Sequence, residues 1–450
     1  MAACSGKETW VPPAEGMPAG AVVVLGVDGL DRVLLERMAR DGDLPNFAQV
    51  MNEGVVTDMH VSQPLLSPRI WTTLASGYAP EVHGVLDWVK PQNQQQTRQP
   101  YRATDVAVER VWDAASQAGK QVLVSGWLMT TPVSEVSGVM LSDDVVLRGS
   151  LDMDPKNRPR RDPAVKDGWL AYPEARLEDV DDWMPGKAWL GDHPLAYQVS
   201  EYGTLLHPLI RDETHVRSLE MLGPALGAEL SMVYLSGVDQ LSHQYWPFAD
   251  PMGVAAMSAD PGLRQQSGAG LMEMYPGKRK LPLSDGPTTQ ARLDEGARWV
   301  PDYYRYLDSV LARVMATLSV NGGTLIVCSD HGFRVGQRPV PVFADHKEPA
   351  LLIGWGSRVR PDAKPRAEVS MGDLAPTLYA LLGMPAAEDM EGRVLDDLFE
   401  VEALPVGPSR VRKVAGAIPG APTDHPRQEQ LEALGYIDKE GAPIPQPAPR

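Results

Sequence analysis

The feature that most constrains this chain is a set of short, β-branched apolar runs that end where an acid or an imidazole begins. Ala21-Val22-Val23-Val24-Leu25-Gly26-Val27 is bounded by Gly20 and by Asp28-Gly29. A run this short and apolar, closed by turn residues, reads as a strand buried on both faces. Residues 31–40 and 44–51 then read as helices, the second entered through Pro45. The alternation returns further on, with a helix at 106–117 and strands at 121–124 and 231–235. A helix at 301–318, a strand at 324–328 and another at 350–353 follow. Ser370 and Asp373 make a capping-box pattern ahead of a helix at 374–382. Such alternation predicts an α/β fold with a mostly parallel central sheet sandwiched by helices.

Two stretches interrupt the rhythm. Residues near 150–202 are rich in Asp, Arg, Pro and Trp, and residues near 251–296 in Gly, Pro and Met. Both read as cap or lid insertions in a main domain spanning 21–400. Trp169, Tyr172, Trp183, Trp189 and Tyr197 in the first are either a small core of its own or a wall for a leaving group. Residues 1–20 read as a flexible tail, and 401–450 as a Pro-rich extension with a short helix at 427–434. At 450 residues the chain is too long for one small domain, and one large domain with insertions fits.

Charge and cysteine content narrow the partners. Against 59 acidic residues stand 42 basic ones, a formal net charge of -17. That excludes a surface built to grip a nucleic-acid polymer, which needs basic patches. A small anionic ligand stays open, because bound divalent metals supply positive charge locally. Two cysteines exclude a disulfide scaffold and a Cys-type zinc finger. Cys328, inside an apolar run, reads as a buried thiol. Met1-Ala2-Ala3-Cys4-Ser5-Gly6 is similar to the cleavage box of a bacterial lipoprotein, without the apolar stretch that should precede it. The expectations are a lipid anchor at Cys4 with a tether to Gly20, in the bacterial periplasm or on a membrane face, or alternatively a plain flexible end and a cytoplasmic protein. No apolar run reaches the roughly 18–20 residues of a membrane-spanning helix.

Ligands of open α/β sheets sit beyond the carboxyl ends of the strands, and that is where the chemistry collects. The first strand ends in Asp28, and the strand at 231–235 is followed by Asp239 and His243. The strand at 324–328 runs into Ser329-Asp330-His331-Gly332, and Asp345-His346 precedes the strand at 350–353. Imidazole and carboxylate are the ligands zinc takes. Asp239 and His243 share a face if a helix follows their strand. Asp330 and His331 can both turn inward only where the strand breaks, which Gly332 permits. Three Asp and three His suffice for two ions with positions left open for substrate. Each piece has a plainer reading as a turn or cap, so the joint pattern carries the signal.

That pattern resembles the alkaline phosphatase superfamily, and within it the type I phosphodiesterase/nucleotide pyrophosphatase branch. The resemblance rests on Val24-Leu25-Gly26-Val27-Asp28-Gly29-Leu30, Leu44-Pro45-Asn46-Phe47 and the stretch from Pro64 to Asp87. It continues through Gly237-Val238-Asp239-Gln240-Leu241-Ser242-His243, Ser329-Asp330-His331-Gly332 and Asp345-His346. It closes with Gly372-Asp373-Leu374-Ala375-Pro376-Thr377-Leu378 and Leu382-Gly383-Met384-Pro385. It implies an alkaline phosphatase-like fold and two divalent ions, most simply Zn2+. One ion would be held by Asp239, His243 and His346, the other by Asp28, Asp330, His331 and Ser67.

Ser67 falls at the nucleophile position of the resemblance, in Pro64-Leu65-Leu66-Ser67-Pro68-Arg69-Ile70-Trp71. Pro68 in the first helical turn makes Ser67 the N-cap, where free N–H groups and the helix dipole favour an alkoxide and a phosphate. The plain alternative is a serine that only caps its helix. The resemblance implies a phosphoseryl intermediate at Ser67, later hydrolysed, in a phosphohydrolase acting on small phosphate esters, diesters first. Phosphomonoesterase, phosphotransferase, sulfatase-like and non-catalytic binding readings stand as alternatives.

The chain also departs from the branch. Nucleotide pyrophosphatases place an Asn shortly after the His-Gly that follows the nucleophile helix, whereas Trp88 stands at the aligned position here. Nucleotide cleavage is thereby in doubt, and Trp88 is either packing or a substrate-facing wall. Ser67-Pro68-Arg69 misses the spacing of a sulfatase formylglycine site. The large insertion of cofactor-independent phosphoglycerate mutases has no counterpart after the nucleophile region. Arg69 is either a bidentate clamp on a phosphate oxygen or a solvated helix residue.

Overall fold

The structure is a computed structural model that describes residues 16–412, apart from 91–98, 147–166, 186–188, 190–192, 196–205, 252, 256–289, 320–321, 337–342 and 365–368. Cys4, the helix expected at 427–434 and most of the second insertion lie outside the described residues.

The apolar run at the start does become a buried strand, β1 (Val22–Val27), and every one of its residues is buried. Helix α1 (Arg32–Arg40) follows, capped by Asp31, whose carboxylate accepts the Leu34 N–H at 2.9 Å. Helix α2 (Pro45–Glu53) has proline in its first turn, and Asp308 takes over the missing cap. Its carboxylate accepts from the Phe47 N–H at 2.8 Å and the Asn46 amide at 2.7 Å. Next come β2 (Val55–His60), α3 (Ser67–Ser76), the short α4 (Pro80–His83) and α5 (Val111–Gln117). The helix expected from 106 thus begins five residues later, after a single 3-10 turn at Ala103–Asp105.

Strands β3 (Val122–Ser125), β4 (Gly138–Leu141) and β5 (Ala171–Tyr172) form one side of the sheet. Helix α6 (Arg176–Trp183) then leads to α7 (Leu206–Leu226), β6 (Leu230–Leu235), α8 (Gly237–Ala249) and the long α9 (Gln290–Ser319). Pro301, read as a helix start, lies inside α9 instead. Strands β7 (Thr324–Cys328), β8 (Gly332–Gly336), β9 (Phe343–Lys347), β10 (Ala350–Gly356) and β11 (Val369–Ser370) follow, then α10 (Leu374–Leu381).

The described strands make a nine-stranded sheet ordered β11-β2-β10-β7-β1-β6-β3-β4-β5, with a separate β8-β9 hairpin. The central pairs β7/β1, β1/β6, β6/β3 and β3/β4 are parallel, whereas β10 runs antiparallel to both β7 and β2. The fold is therefore α/β, with a mostly parallel sheet. One apolar cluster joins Val23, Leu25, Val233 and Leu235 to α7, α9 and α1 on one face. A second joins Val22, Val24, Met232 and Tyr234 to α3, α5 and α10 on the other. Trp183 and Val180 of the first insertion pack into the first of these clusters rather than into a core of their own. Cys328 is a buried free thiol whose ionisation burial strongly disfavours. No helix among the described residues is long and apolar enough to cross a membrane.

Candidate active site

Because β1, β6 and β7 are adjacent and parallel, their carboxyl ends open on one crevice. Asp28 stands at the end of β1. Gly29 must follow it, since its φ is +71° and a Cβ there would meet the Phe333 ring at 2.6 Å and the Asp239 Cα at 3.1 Å. Helix α8 starts right after β6, so Asp239 and His243 do share a helix face, with Oδ1 and Nε2 3.2 Å apart. Asp330 and His331 turn inward in the short break between β7 and β8. Gly332 serves that break through space rather than through φ: a Cβ would lie 2.5 Å from Asp31 Oδ2.

His346 arrives by a route the sequence did not suggest. It lies on β9 of the hairpin, where alternation sends neighbours to opposite sides. Asp345 pairs with Arg334 at 2.9 Å, and His346 faces the crevice. Asp31 holds the hairpin in place, accepting from Lys347 Nζ at 2.7 Å and the Phe333 N–H at 3.3 Å.

The carboxylates and imidazoles of the two expected ligand sets are thus brought together as two adjoining groups, Asp239–His243–His346 and Asp28–Asp330–His331. Four donors bound to one zinc ion at about 2.0–2.1 Å in tetrahedral geometry stand about 3.3 Å apart. In the first group His346 Nε2 lies 3.1 Å from His243 Nε2 and 3.5 Å from Asp239 Oδ1. In the second, His331 Nε2 lies 3.4 Å from both Asp28 Oδ1 and Asp330 Oδ2. The His331 and His346 rings stack at 3.5 Å and join the groups.

The imidazoles present their Nε2 lone pairs to the crevice. Nδ1 of His331 donates to the Gly332 carbonyl at 3.2 Å, and Nδ1 of His346 to the Leu65 carbonyl at 3.0 Å. Such outer bonds fix tautomer and ring orientation in metal sites. Asp28 Oδ1, Asp239 Oδ1, Asp330 Oδ2 and His331 Nε2 are buried and have no hydrogen-bond partner. Buried polar atoms are otherwise nearly always satisfied. With Nε2 of His243 and His346, these atoms are of the kind and at the spacing that divalent cations take.

Electrostatics point the same way. Burial, then the charges of Asp330 and Asp239, push the Asp28 carboxyl well above the usual carboxylate range. Burial also carries Asp330 up to about 6. Burial would raise Asp239 too, but His243 and then His346 pull it below its ordinary value. Burial lowers His346, and the adjacent Asp239 carboxylate more than reverses this. Burial and the neighbouring His346 hold His331 well below its usual range. Crowded carboxylates facing imidazole lone pairs gain from positive charge among them.

Ser67 is fully buried at the start of α3, and its Oγ has no hydrogen-bond partner. The N-cap is Leu66, one residue earlier than expected, so Ser67 is the first helical residue. Its hydroxyl makes no capping bond, which removes the plain reading of a serine that only caps its helix. Contacts on either side place it. Leu65, two residues before, accepts from His346, and Trp71, one turn on, packs edge-on against Tyr234 at 5.0 Å. The Tyr234 hydroxyl donates to Asp28 Oδ2. The residues flanking Ser67 are thus linked on one side to His346 and on the other, through Tyr234, to Asp28.

The remaining expected residues fall differently. Arg69 is neither solvated nor free: Nη2 reaches Ser62 Oγ at 3.3 Å and Glu81 at 3.6 Å. Trp88 is 7 % exposed and belongs to the apolar cluster on the α3 face. His83 supports α3 from behind. Nδ1 accepts the Val85 N–H at 3.1 Å, which leaves Nε2 to donate to Thr73 Oγ1 at 3.0 Å. Burial keeps it neutral, lowering it to about 3.

Tyr234 and Asp212 were not singled out from sequence. Tyr234 sits in an apolar strand run and Asp212 inside a helix, so neither had a local signal. Asp212 accepts from the Ser236 and Gly237 N–H groups at 3.0 Å each and from Tyr303 at 2.8 Å. It thereby sets the start of α8, the helix carrying Asp239 and His243.

A profile of the type I phosphodiesterase / nucleotide pyrophosphatase family matches residues 22–373. Among curated proteins, the 2,3-bisphosphoglycerate-independent phosphoglycerate mutase of Gloeobacter violaceus is 31 % identical over 119 residues, 23 % of this chain and 22 % of that protein. The same mutase from Laribacter hongkongensis is 32 % identical over 99 residues, 21 % of this chain and 18 % of the mutase. The match thus spans about a fifth of the length of these relatives. Among solved structures, phosphonoacetate hydrolase from Sinorhizobium meliloti, in complex with phosphonoformate, aligns at 16 % identity and a TM-score of 0.40. That alignment covers 73 % of this chain and 59 % of the hydrolase. Murine ectonucleotide pyrophosphatase / phosphodiesterase 5 aligns at 13 % identity and a TM-score of 0.45, over 84 % of this chain and 100 % of that one.

Proposed function

The chain belongs to the type I phosphodiesterase / nucleotide pyrophosphatase family, a family of metal-dependent phosphoric-ester hydrolases, and from that premise we propose that it cleaves small phosphate esters, diesters first, with Ser67 as nucleophile. The observation that carries this reading is the buried, unpartnered Ser67 Oγ in a chain that also gathers two groups of metal-ligand side chains.

Asp239, His243 and His346 would hold one divalent ion, and Asp28, Asp330, His331 and Ser67 the other, most simply zinc. When bound, such ions lower the pKa of a coordinated hydroxyl and neutralise charge on a phosphoryl group. The protein's own part is positioning. Tyr234 occupies Asp28 Oδ2 and leaves Oδ1 facing the crevice. The Leu65 carbonyl holds the His346 ring with Nε2 inward. The start of α3 directs its dipole at the attacked phosphorus. Ser67 Oγ forms the new bond to phosphorus as the ester oxygen leaves. The product is a phosphoseryl enzyme, or a serine phosphodiester when the substrate is a diester. Water then releases it, and an alcohol in its place would make the reaction a transfer.

A polymeric nucleic acid is a poor substrate for a chain of net charge -17. The test compares bis-p-nitrophenyl phosphate, p-nitrophenyl phosphate and p-nitrophenyl sulfate on zinc-loaded protein, before and after chelation. Diester turnover that chelation abolishes and zinc restores is the expected result. Monoester preference would keep the mechanism and move the substrate class. Turnover indifferent to chelation would end the metal reading.

A further inference from the structure

Beside the crevice lies a cation that the mechanism does not use. Arg211 is on α7, 2 % exposed, with its guanidinium carbon 5.9 Å from the centroid of the Tyr234 ring. Tyr234 is the residue that donates to Asp28, so one side chain separates this guanidinium from a ligand group. Its Nε and Nη2 are both buried and have no hydrogen-bond partner.

Those two nitrogens form one edge of the guanidinium plane. Their N–H groups run parallel, the fork that matches two oxygens of a carboxylate or phosphoryl group. The acids next to it in sequence are engaged elsewhere. Asp212 is taken by the start of α8 and Tyr303. Glu213 is taken by Arg217 at 2.9 Å, Arg313 at 2.9 Å and Tyr306 at 3.1 Å. His215, one turn on, is held neutral by burial and then by the Arg211 charge, so it supplies no negative partner. The other arginines named on this side of the molecule, Arg217 and Arg313, both have carboxylate partners. A buried guanidinium edge left unpaired is unfavourable, and an incoming oxyanion offsets that.

We propose that the Nε–Nη2 edge of Arg211 is an anion subsite that recognises a second acidic group, carboxylate or phosphoryl, on the substrate whose phosphorus Ser67 attacks. The proposal rests on the phosphohydrolase reading. Arg211 lies against Tyr234, the partner of Asp28, and is sealed from bulk solvent, so its ligand would be part of a molecule already seated in the site. The enzyme then prefers esters carrying two separated anionic groups over those carrying one.

The experiment is calorimetric binding to zinc-loaded full-length protein, which does not depend on turnover. The probes are ethylphosphonate, with one anionic group, and methylenediphosphonate and 3-phosphonopropionate, with two. Wild type should bind at least one two-anion probe about tenfold or more tightly than ethylphosphonate, the worth of a charged hydrogen-bonded pair. Which of the two it prefers identifies the second group as phosphoryl or carboxylate. Arg211→Gln should bring that ratio to about one. Arg211→Lys keeps the charge without the fork, should retain only part of the preference, and carries the test alone if the glutamine variant does not fold. A wild type with no preference overturns the subsite, as does an Arg211 variant that weakens all three probes alike. Absence of turnover on every ester, with the preference intact, would instead overturn the phosphohydrolase reading and leave the subsite standing.

Discussion

Two buried polar clusters lie near β6, one between α7 and α9 and one at the carboxyl ends of the strands, and they are built on opposite terms. Between α7 and α9, Glu213 accepts from Arg217, Arg313 and Tyr306, and both Glu220 oxygens accept from Arg313 at 2.7 and 2.6 Å. Arg217 spends a further donor on the Trp183 carbonyl at 2.9 Å. In the crevice, Asp28, Asp239, Asp330, His331 and Ser67 each keep a buried atom without a partner. Both clusters are charged and largely buried. The first is complete within the chain and serves the architecture. The second leaves ligand-type atoms open, as the proposed metal ions require.

The sharpest way to break this contrast is Ser67→Ala. On the proposed mechanism, bis-p-nitrophenyl phosphate turnover falls by about three orders of magnitude or more. The melting temperature stays within about 2 °C, because the lost hydroxyl has no partner to lose. Glu213→Ala should do the reverse. It strands Arg217 and Arg313 and lowers stability by about 3–5 kcal/mol, read by urea unfolding, with zinc content per folded chain unchanged.

Asp330→Asn sharpens the comparison from the crevice side. Burial raises the folded Asp330 to about 6, above its ordinary 3.8. The stability this group contributes is therefore present below about pH 4 and lost as pH rises through about 6. At pH 8 the metal-free Asn variant should be more stable than metal-free wild type by about 1–2 kcal/mol. Its zinc-induced rise in melting temperature should shrink. A loss of metal-free stability would mean that Asp330 is as fully paired as Glu213. The smallest effect concerns His83, a histidine that is buried and satisfied. Its folded value is lowered to about 3 from 6.5. Its contribution is present above about pH 6.5 and lost as pH falls through about 3, at about 1.4 kcal/mol per pH unit. His83→Gln should flatten that part of an acid-unfolding curve.

Much of this was readable from sequence for physical reasons that also explain the misses. Strand-end acids and the i,i+4 pair Asp239–His243 are local patterns, and β1 and β7 are short apolar runs with clear ends. Ser67 was identified from its motif, but its capping role was misread, since Pro68 occupies the second helical position and Leu66 the cap. Pro301 misled in the same way, because tertiary packing carries α9 through it. Helix α7 gave no amphipathic signal. Residues 208–220 are buried on every side, and Glu213 and Glu220 find their partners Arg313 and Tyr306 on a helix about a hundred residues away. Tyr234 and Arg211 escaped notice for that reason: their meaning lies in contacts, to Asp28 and to a missing anion, that no spacing records.

The central claim is that Ser67 Oγ becomes bonded to phosphorus during turnover. Zinc-loaded protein would be acid-quenched while hydrolysing bis-p-nitrophenyl phosphate and its peptides mapped by mass spectrometry. The account predicts a p-nitrophenyl phosphodiester adduct on Ser67, absent after chelation. An unmodified Ser67 at every quench time, with turnover undiminished in Ser67→Ala, would contradict it.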